Sequence, residues 1–500
     1  MKKYNLLTLL LCITALISLF SPEVKAISED SLYPFVFESK ETHEVKLLND
    51  GSSSFYKRLD LIRHAKKTIV MEYFIFNHDV VGKIMAHELI KKVKEGVKVQ
   101  ILVDNFMVGS TLSPHHSAEL LRRGIEIKYY SPIPVINAVK TQYRNHRKLF
   151  VVDDQHYIVG GRNIGDDYFD LSERYNFVDR DAVLTGPSAL SARKSFDAYF
   201  KSKHSKIKLR TPMPTINQLE FLRSGQSQKA RILQQVRADR RTWKERKSKG
   251  RAFLKFSLRE KKEINKLMEI GKKSFEKEFS GTCENLQFVS DKPLIGPSND
   301  KNRITRHYIY KYLTNAKSEI NIDSPYFILN DKLIDIIEGQ LDKDIPVTLL
   351  TNGIYSSDAL PVAAVFNHYL KGWIEKGLSP SVYSGKNLYS EDAYVSKAVA
   401  NSRWGTHSKT LSIDDELSVI GSFNFDPRSA DFSMELVVAC HGNASLAKAI
   451  KSDINLRRAN SISFETIEDA KRHEFHNISM FKQMGYYLIK PLSLLLQGLL

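Results

Sequence analysis

The hydrophobic pattern of the first half of the chain predicts strands that alternate with helices. Residues 68–76 are mostly β-branched, apolar and aromatic, which is typical of a buried strand. Further strands are predicted over residues 97–103 and 125–130, and helices over 52–66, 79–94 and 117–123. This order is typical of right-handed βαβ units around a mostly parallel sheet.

The same order of elements recurs after residue 300. Helices are predicted over residues 302–316, 332–341 and 360–376, and strands over 319–327, 346–351 and 381–383. When Ala316 is laid on Ala65 without gaps, Ile320 falls on Ile69 and Phe327 falls on Phe76. The chain is therefore predicted to be an internal duplication with two α/β lobes, over residues 27–200 and 281–455.

Each predicted lobe carries one copy of the same polar motif. The pattern His-x-Lys-x4-Asp occurs at two sets of positions: His146, Lys148 and Asp153, and His407, Lys409 and Asp414. Each copy is followed by a turn of small residues and an asparagine, Asn163 or Asn424, 17 residues after the histidine (163−146 and 424−407). One such pattern would be an ordinary strand with polar residues, but two with matched turns indicate a functional site.

The residue types of this motif suit phosphodiester chemistry. On an extended strand the His and the Lys share one face, about 7 Å apart along the strand. If the two lobes face each other, two lysines and two asparagine amides can compensate the phosphate oxygens as phosphorus becomes five-coordinate. One histidine can form a phosphohistidine while the other protonates the leaving alcohol and deprotonates the incoming hydroxyl. The scheme requires no metal and no other cofactor, because the lysines supply the positive charge.

Each catalytic imidazole needs a carboxylate behind it to fix its tautomer. The candidates are Asp179 and Glu435, each predicted on the strand that follows the asparagine of its lobe. Asp153 and Asp414 are grouped with the catalytic residues as motif members, although their place at the end of the motif favours bracing of the turn. The glycines before Asn163 are predicted to let the backbone approach a ligand closely.

The two ends of the chain predict export and contact with a membrane. Lys2 and Lys3, an apolar run over residues 6–20 and Val24-Lys25-Ala26 have the pattern of a signal peptide, residues 1–26, with an uncleaved anchor as the alternative. A periplasmic or secreted protein, peripherally associated with a membrane, is therefore expected. The tail, residues 456–500, ends in a leucine-rich stretch that favours a bilayer interface over packing on the second lobe.

A basic segment separates the two lobes. Residues 201–280 contain 24 Lys and Arg against 8 Asp and Glu, a surplus of 24−8 = +16 that nearly equals the +17 of the whole chain. Their polar, helix-forming composition predicts a helical insert. It would either bind anionic lipid head groups at a membrane surface or form a solvated hairpin that covers the lobes.

The cysteines beyond the predicted signal peptide are Cys283 and Cys440. They are far apart in the sequence, so no disulfide framework is expected. Cys440 ends an apolar run and is predicted to be a small buried residue.

The double motif resembles the phospholipase D superfamily. Residues 160–169 and 421–429, together with Leu350-Thr351-Asn352-Gly353, are most similar to the bacterial cardiolipin synthases, the C-type in particular. This resemblance implies two α/β/α lobes related by a pseudo-twofold axis with the site at their junction. It also implies that His146 is the nucleophile and His407 the acid and base. Gly353, where the subgroup usually has serine, the basic insert and the signal peptide depart from the subgroup pattern.

Four functions are compatible with these features. The resemblance favours a phosphatidyltransferase that makes cardiolipin from phosphatidylglycerol and a second phospholipid. An exported phospholipase D that passes the same intermediate to water would use the same catalytic residues. A nuclease fits the basic insert but not the signal peptide and apolar tail, and the intact double motif argues against a non-enzymatic lipid-binding scaffold. The sequence does not indicate an oligomeric state.

Overall fold

Two large β-sheets form the frame of the structure, which is a computed structural model. It describes residues 33–108, 111–131, 142–208, 212–296, 302–473 and 478–500, so the predicted signal peptide lies outside the described residues. The strands are β1 (Val36–Ser39), β2 (His43–Leu48), β3 (Thr68–Tyr73), β4 (Lys98–Asp104), β5 (Glu126–Tyr130), β6 (Leu149–Val152), β7 (His156–Gly160), β8 (Tyr175–Val178), β9 (Asp181–Thr185), β10 (Ser205–Lys206), β11 (Ser280–Cys283), β12 (Asn285–Ser290), β13 (Ile320–Asp323), β14 (Val347–Asn352), β15 (Ser379–Tyr383), β16 (Arg403–Thr406), β17 (Thr410–Ile413), β18 (Leu417–Gly421), β19 (Leu436–His441) and β20 (Ser461–Ser463).

Helices connect these strands and cover the sheets. They are α1 (Gly51–His64), α2 (Val80–Lys94), α3 (Pro114–Leu121), α4 (Ser188–Lys201), α5 (Gln218–Arg223), α6 (Gln226–Ala252), α7 (Leu258–Lys277), α8 (Ile304–Thr314), α9 (Asp331–Leu341), α10 (Leu360–Glu375), α11 (Lys397–Ala400), α12 (Ala444–Ala459), α13 (Ile467–His473) and α14 (Met480–Leu495). The helices predicted from apolar periodicity are all present, with ends that differ by a few residues.

The two sheets repeat one strand order. The first runs β10-β5-β4-β3-β6-β7-β9-β2-β11 and the second β1-β12-β19-β18-β17-β13-β14-β15-β20, so β5-β4-β3-β6-β7-β9 corresponds to β15-β14-β13-β17-β18-β19. This confirms the predicted α/β fold with two similar lobes. The prediction of a mostly parallel sheet is wrong, because within the described part of the two large sheets only β3-β4-β5 and β13-β14-β15 pair in parallel. The other neighbouring strands of the two sheets pair antiparallel: β6-β7 and β17-β18 are joined by short turns, whereas β3-β6 and β13-β17 join strands far apart in the sequence.

The chain crosses between the sheets near both predicted lobe boundaries. The first strand, β1, pairs with β12 of the second sheet, although it lies in the predicted first lobe. Conversely, β11 pairs with β2 of the first sheet. A buried cluster shared by both sheets and by α4 and α12 joins the lobes. The lobes are therefore interlocked rather than consecutive along the chain.

The predicted basic insert is helical and only partly covers the first lobe. Gly250 is the one buried residue of α6, so this long helix is solvated along nearly all of its length. In contrast, α7 packs on α1, where a Cβ at Gly271 would come within 2.2 Å of the Ser52 carbonyl oxygen. The start of α7 is fixed by a capping box between Ser257 and Glu260.

A disulfide joins Cys283 at the end of β11 to Cys440 in β19. The expectation that these cysteines do not pair is therefore wrong. Sequence separation, 157 residues, said nothing about distance in space, because the strand crossing brings β11 of the first sheet beside the second sheet. The bond ties the two sheets together where the chain passes between them.

We expect reduction of this disulfide to lower stability. Replacing both Cys283 and Cys440 by serine, or adding a reductant, should lower the free energy of unfolding by about 2–4 kcal/mol, because the closed loop restricts the unfolded chain. Thermal unfolding with and without a thiol reductant measures the effect. The double-serine variant serves as the control, and a wild-type melting temperature that does not respond to reductant would contradict the prediction.

Candidate active site

His407 and Asp179 are brought together by a parallel strand pair that spans the two lobes. Strand β8 of the first lobe pairs with β16 of the second, with Val178 opposite Thr406. The residues that follow, Asp179 and His407, are therefore neighbours. The His407 backbone N–H donates to the Val178 carbonyl at 2.8 Å, and its Nδ1 lies 2.6 Å from Asp179 Oδ2.

His146 is held by the same arrangement from the other side. A parallel bridge pairs Asn145 with Met434, and the His146 backbone N–H donates to the Met434 carbonyl at 3.0 Å. Nδ1 of His146 then lies 3.0 and 3.1 Å from the two carboxylate oxygens of Glu435. The motif histidine of each lobe is thus oriented by the carboxylate of the other lobe, a crossing that the sequence did not indicate.

The motif was predicted to be one extended strand, but only its second part is a strand. Strands β6 and β17 begin only after Lys148 and Lys409, because the preceding backbone pairs across the lobes instead of within its own sheet. Each lysine folds back toward its own histidine: Lys148 Nζ donates to the His146 carbonyl at 2.6 Å, and Lys409 makes the equivalent bond to His407. Both ammonium groups therefore stay beside the imidazoles.

The two carboxylates are fixed by different local contacts. Glu435 accepts hydrogen bonds from the hydroxyls of Ser422 and Ser429. Asp179 accepts one from the Arg180 backbone N–H at 2.7 Å. A Cβ at Gly161 would lie 2.2 Å from the Asp179 carboxylate, so this glycine makes room for the carboxylate rather than for a ligand.

Burial and the paired lysines set the charges of the site. Burial, followed by the charge of Lys148, holds the pKa of His146 well below its usual value. Burial and Lys409 do the same for His407. Burial also raises the pKa of Glu435 to about 7 against the opposing charge of Lys148, and lowers that of Lys409 to about 8. Burial and the two lysines therefore favour neutral imidazoles.

Neutral imidazoles suit nucleophilic attack. With Nδ1–H donating to a carboxylate, Nε2 of each ring carries the free lone pair. A bound phosphodiester would offset the repulsion from the two lysines and so favour protonation of one ring, as acid catalysis requires. The arrangement can supply one nucleophile and one proton donor.

Aromatic rings fix the positions of both imidazoles. Phe74 packs edge-on against His146, with the ring centroids 4.9 Å apart. Tyr168 and Phe177 pack against His407 at 5.2 and 4.7 Å. Both rings are almost buried, His146 being 9% exposed and His407 5%, so the rest of each imidazole is enclosed by protein.

The predicted phosphate-binding asparagines lie beside these residues. The carboxamide oxygen of Asn163 accepts from the Ile75 backbone N–H at 3.1 Å, and the Asn163 side chain also hydrogen-bonds the Tyr168 side chain. Asn424 is also buried, and its carboxamide oxygen has no hydrogen-bond partner within the part of the chain that the structure describes. Phosphate binding by the two amides remains a prediction.

Asp153 and Asp414 lie at the opposite end of the motif strands from the histidines. Asp153 accepts hydrogen bonds from the backbone N–H groups of residues 66–68 at 2.7–2.8 Å. Asp414 accepts equivalent bonds from residues 317–319. Their grouping with the catalytic residues was wrong: both carboxylates brace the turns that lead into β3 and β13.

The residues that support Glu435 were not predicted from the sequence. Asp291 accepts from the Glu435 backbone N–H at 2.8 Å, while Ser422 and Ser429 bind its carboxylate. A signal for Ser422 existed, because a serine replaces the second glycine of the first-lobe turn. Asp291 gave no signal, since it lies far from the motifs in the sequence.

Comparisons with known proteins indicate the family of the chain. A family model described as "Cardiolipin synthase, PLD-like domain" matches residues 59–202 and 309–455, together more than half of the chain. An uncharacterized protein of Helicobacter pylori (strain ATCC 700392 / 26695) is 29% identical over 84% of this chain and 80% of its own length. Cardiolipin synthase 2 of Staphylococcus epidermidis (strain ATCC 35984 / DSM 28319 / BCRC 17069 / CCUG 31568 / BM 3577 / RP62A) is 27% identical, with 90% and 74% covered. For cardiolipin synthase C of Escherichia coli (strain K12) the values are 24%, 78% and 79%.

A solved structure shares the fold. Phosphatidylserine synthase of Haemophilus influenzae Rd KW20 superposes with a TM-score of 0.61 at 15% identity, over 91% of this chain and 95% of that one. The two-lobed arrangement is therefore present in a structure with little sequence similarity.

We expect the crossed carboxylates to be essential for turnover. Asp179→Asn and Glu435→Gln should each lower kcat by about 10²-fold or more, because a neutral amide neither fixes the correct tautomer nor stabilises the imidazolium. Asp153→Asn is the matched control on the same lobe as Asp179. Asp153→Asn should lower thermal stability, while the protein that remains folded keeps its kcat. Loss of kcat in Asp153→Asn but not in Asp179→Asn would contradict the roles given to these two aspartates.

Proposed function

The chain belongs to the family of cardiolipin synthases with phospholipase D-like domains, and we propose that it transfers a phosphatidyl group from one phospholipid to a hydroxyl of phosphatidylglycerol, forming cardiolipin. The observation that carries the proposal is the pair of buried histidines, each with its Nδ1 against a carboxylate of the opposite lobe and each beside a lysine. This arrangement supplies a nucleophile, an acid and two cations around one phosphodiester.

The reaction proceeds by two displacements at phosphorus. Nε2 of His146 attacks, the bond to the first head-group alcohol breaks, and His407 gives that alcohol its proton. His407 then removes the proton of the incoming hydroxyl, which attacks phosphorus and releases His146. His146 is proposed as the nucleophile on the basis of the family resemblance, while Lys148 and Lys409 stabilise the added charge in both transition states.

Hydrolysis uses the same residues with water as the acceptor. A phospholipase D would therefore release phosphatidic acid from the same intermediate. The near-complete burial of both histidines favours transfer, because an enclosed site excludes water from the intermediate.

We also propose that the protein acts outside the cytoplasm. The disulfide between Cys283 and Cys440 supports this location, because such bonds persist in oxidising compartments and are rare in the cytosol. It is an observation separate from the predicted signal peptide.

The exposed face of α14 is proposed to bind the membrane interface. Its apolar side chains recur at helical spacing and are 54–87% exposed at residues Met480, Phe481, Met484, Tyr487, Leu488, Leu492 and Leu495. The opposite face packs on the second lobe through Tyr486 and Ser493, which are buried. Among the described residues, no helix is long and apolar enough to cross a membrane.

The end of the chain, which follows α14, contacts Arg428 of the second lobe. The backbone N–H of Arg428 donates to the Leu500 carbonyl. The positive charge of Arg428 contributes to the lowered pKa of His146. We propose that a lipid held at α14 can reach the histidines from this end of the second lobe. The exposed cations of α6 supply a second attraction, toward anionic head groups.

We expect purified protein to convert labelled phosphatidylglycerol vesicles into cardiolipin. His146→Ala and His407→Ala should each abolish product formation, whereas a chelator should leave it unchanged, because the lysines provide the positive charge. Lipid chromatography reads the products. Phosphatidic acid as the main product would show a phospholipase D instead, and neither product, full activity in a histidine variant or loss with chelator would contradict the mechanism.

Membrane binding is expected to depend on α14. Leu488→Glu combined with Leu495→Glu should weaken sedimentation with anionic vesicles at least about tenfold, because burial of each leucine contributes about 1.5–3 kcal/mol. Leu190→Glu, a similar change at an exposed leucine of α4, is the matched control. Equal binding of the double variant and the control would contradict the role of α14.

A further inference from the structure

Tyr326 and Asp358 form a polar pair that the proposed mechanism does not use. The Tyr326 hydroxyl donates to both oxygens of the Asp358 carboxylate, at 3.0 and 3.2 Å. Tyr326 is half-buried and Asp358 is exposed. The carboxylate therefore has accepting capacity left for a group from outside the protein.

The pair lies at the second-lobe side of the candidate active site. Phe327 forms a parallel bridge with Phe425, so Tyr326 lies beside Asn424. Asp358, in the connection between β14 and α10, is within electrostatic range of Lys409: burial lowers the pKa of Lys409, and the charges of Asp179, Glu435 and Asp358 oppose that shift.

Tyr168 links the pair to His407. Burial, followed by the charges of Asp167 and Asp358, raises the pKa of Tyr168. The ring of Tyr168 packs edge-on against His407. The Asp358 carboxylate is therefore within electrostatic range of Tyr168, the ring that contacts His407, as well as of Lys409.

The order of the two displacements decides which alcohol uses this space. An attacking group and a leaving group lie roughly in line at phosphorus. If His146 is the nucleophile, the leaving alcohol departs on the His407 side and the acceptor alcohol later enters there. A group that recognises the acceptor must therefore lie near His407, as Tyr326 and Asp358 do.

The first lobe does not repeat this pair. The bridge between Phe76 and Ile164 is the counterpart of the bridge between Phe327 and Phe425. Ile75 consequently occupies the place of Tyr326, and it has no side-chain hydroxyl. The polar pair is a feature of the acceptor side alone, so it is not explained by the architecture common to both lobes.

The chemistry of the pair indicates the ligand. A carboxylate repels a phosphate, so Asp358 is not a phosphate ligand. It accepts strong, charge-assisted hydrogen bonds from hydroxyl groups, and the Tyr326 hydroxyl, which donates its proton to Asp358, can accept from another hydroxyl. We propose that Asp358 and Tyr326 bind the free hydroxyls of a polyol acceptor, the glycerol head group of the incoming phospholipid. This inference rests on the proposed function and names its acceptor-binding residues.

Competition between glycerol and water tests the proposal. Full-length protein is incubated with phosphatidylglycerol vesicles and deuterated glycerol. Mass spectrometry then separates deuterated phosphatidylglycerol, the product of transfer to glycerol, from phosphatidic acid, the product of transfer to water. In Asp358→Asn the ratio of the first product to the second should fall about tenfold, while formation of phosphatidic acid stays within about threefold of wild type, because the intermediate still forms.

Two further variants sharpen the result. Tyr326→Phe should lower the same ratio by about threefold, since one hydrogen bond is lost and the carboxylate remains. Asp392→Asn, at another exposed aspartate, is the matched control and should leave the ratio unchanged. A ratio in Asp358→Asn equal to wild type, or a parallel fall of both products, would overturn the proposal.

Ethanolamine as the acceptor separates recognition of hydroxyls from recognition of positive charge. If Asp358→Asn lowers transfer to ethanolamine but not to glycerol, the pair binds an ammonium head group and the polyol proposal is overturned. If wild-type protein yields neither product, the proposed function itself fails. If wild-type protein transfers the phosphatidyl group but the product ratio is the same in Asp358→Asn, only the proposal for Asp358 and Tyr326 fails.

Discussion

The crossed pairing of histidine and carboxylate is the interaction on which the site depends. His146 is oriented by Glu435, and His407 by Asp179. Both contacts follow from short parallel pairings of backbone across the lobe boundary, at Asn145 with Met434 and along β8 with β16. Neither lobe by itself contains both the histidine and the carboxylate of a pair. The duplication therefore yields one site rather than two.

This dependence explains why the lobes are interlocked. A small displacement of one sheet would separate both histidines from their carboxylates. The exchange of β1 and β11 between the sheets, the core shared with α4 and α12 and the disulfide all resist that displacement. Burial then makes the pairing chemically effective, because it keeps the imidazoles neutral next to two lysines until an anionic substrate arrives.

Periodicity and motif spacing predicted much of this structure, and the reasons are local. Helices and central strands follow from apolar patterns, and the repeat of His-x-Lys-x4-Asp with its asparagine identified His146, His407 and both lysines. The same reasoning failed where distant segments meet. The strand exchange, the pairing of Cys283 with Cys440 and the support of Glu435 by Asp291 depend on tertiary contacts that leave no periodic signal. Asp153 and Asp414 were grouped with the catalytic residues because they belong to the same motif. The spacing of a motif does not indicate at which end of a strand a side chain lies.

The location of the covalent intermediate tests the account most directly. The His407→Ala variant is mixed with a labelled phosphatidyl ester of p-nitrophenol, whose leaving group needs no proton from His407, then quenched with denaturant at neutral pH and digested. The account predicts an acid-labile phosphatidyl adduct on the peptide that contains His146, which accumulates because the acid and base for the second step is missing. An adduct on any other residue, or turnover of the wild-type protein with no covalent adduct in any variant, would contradict it.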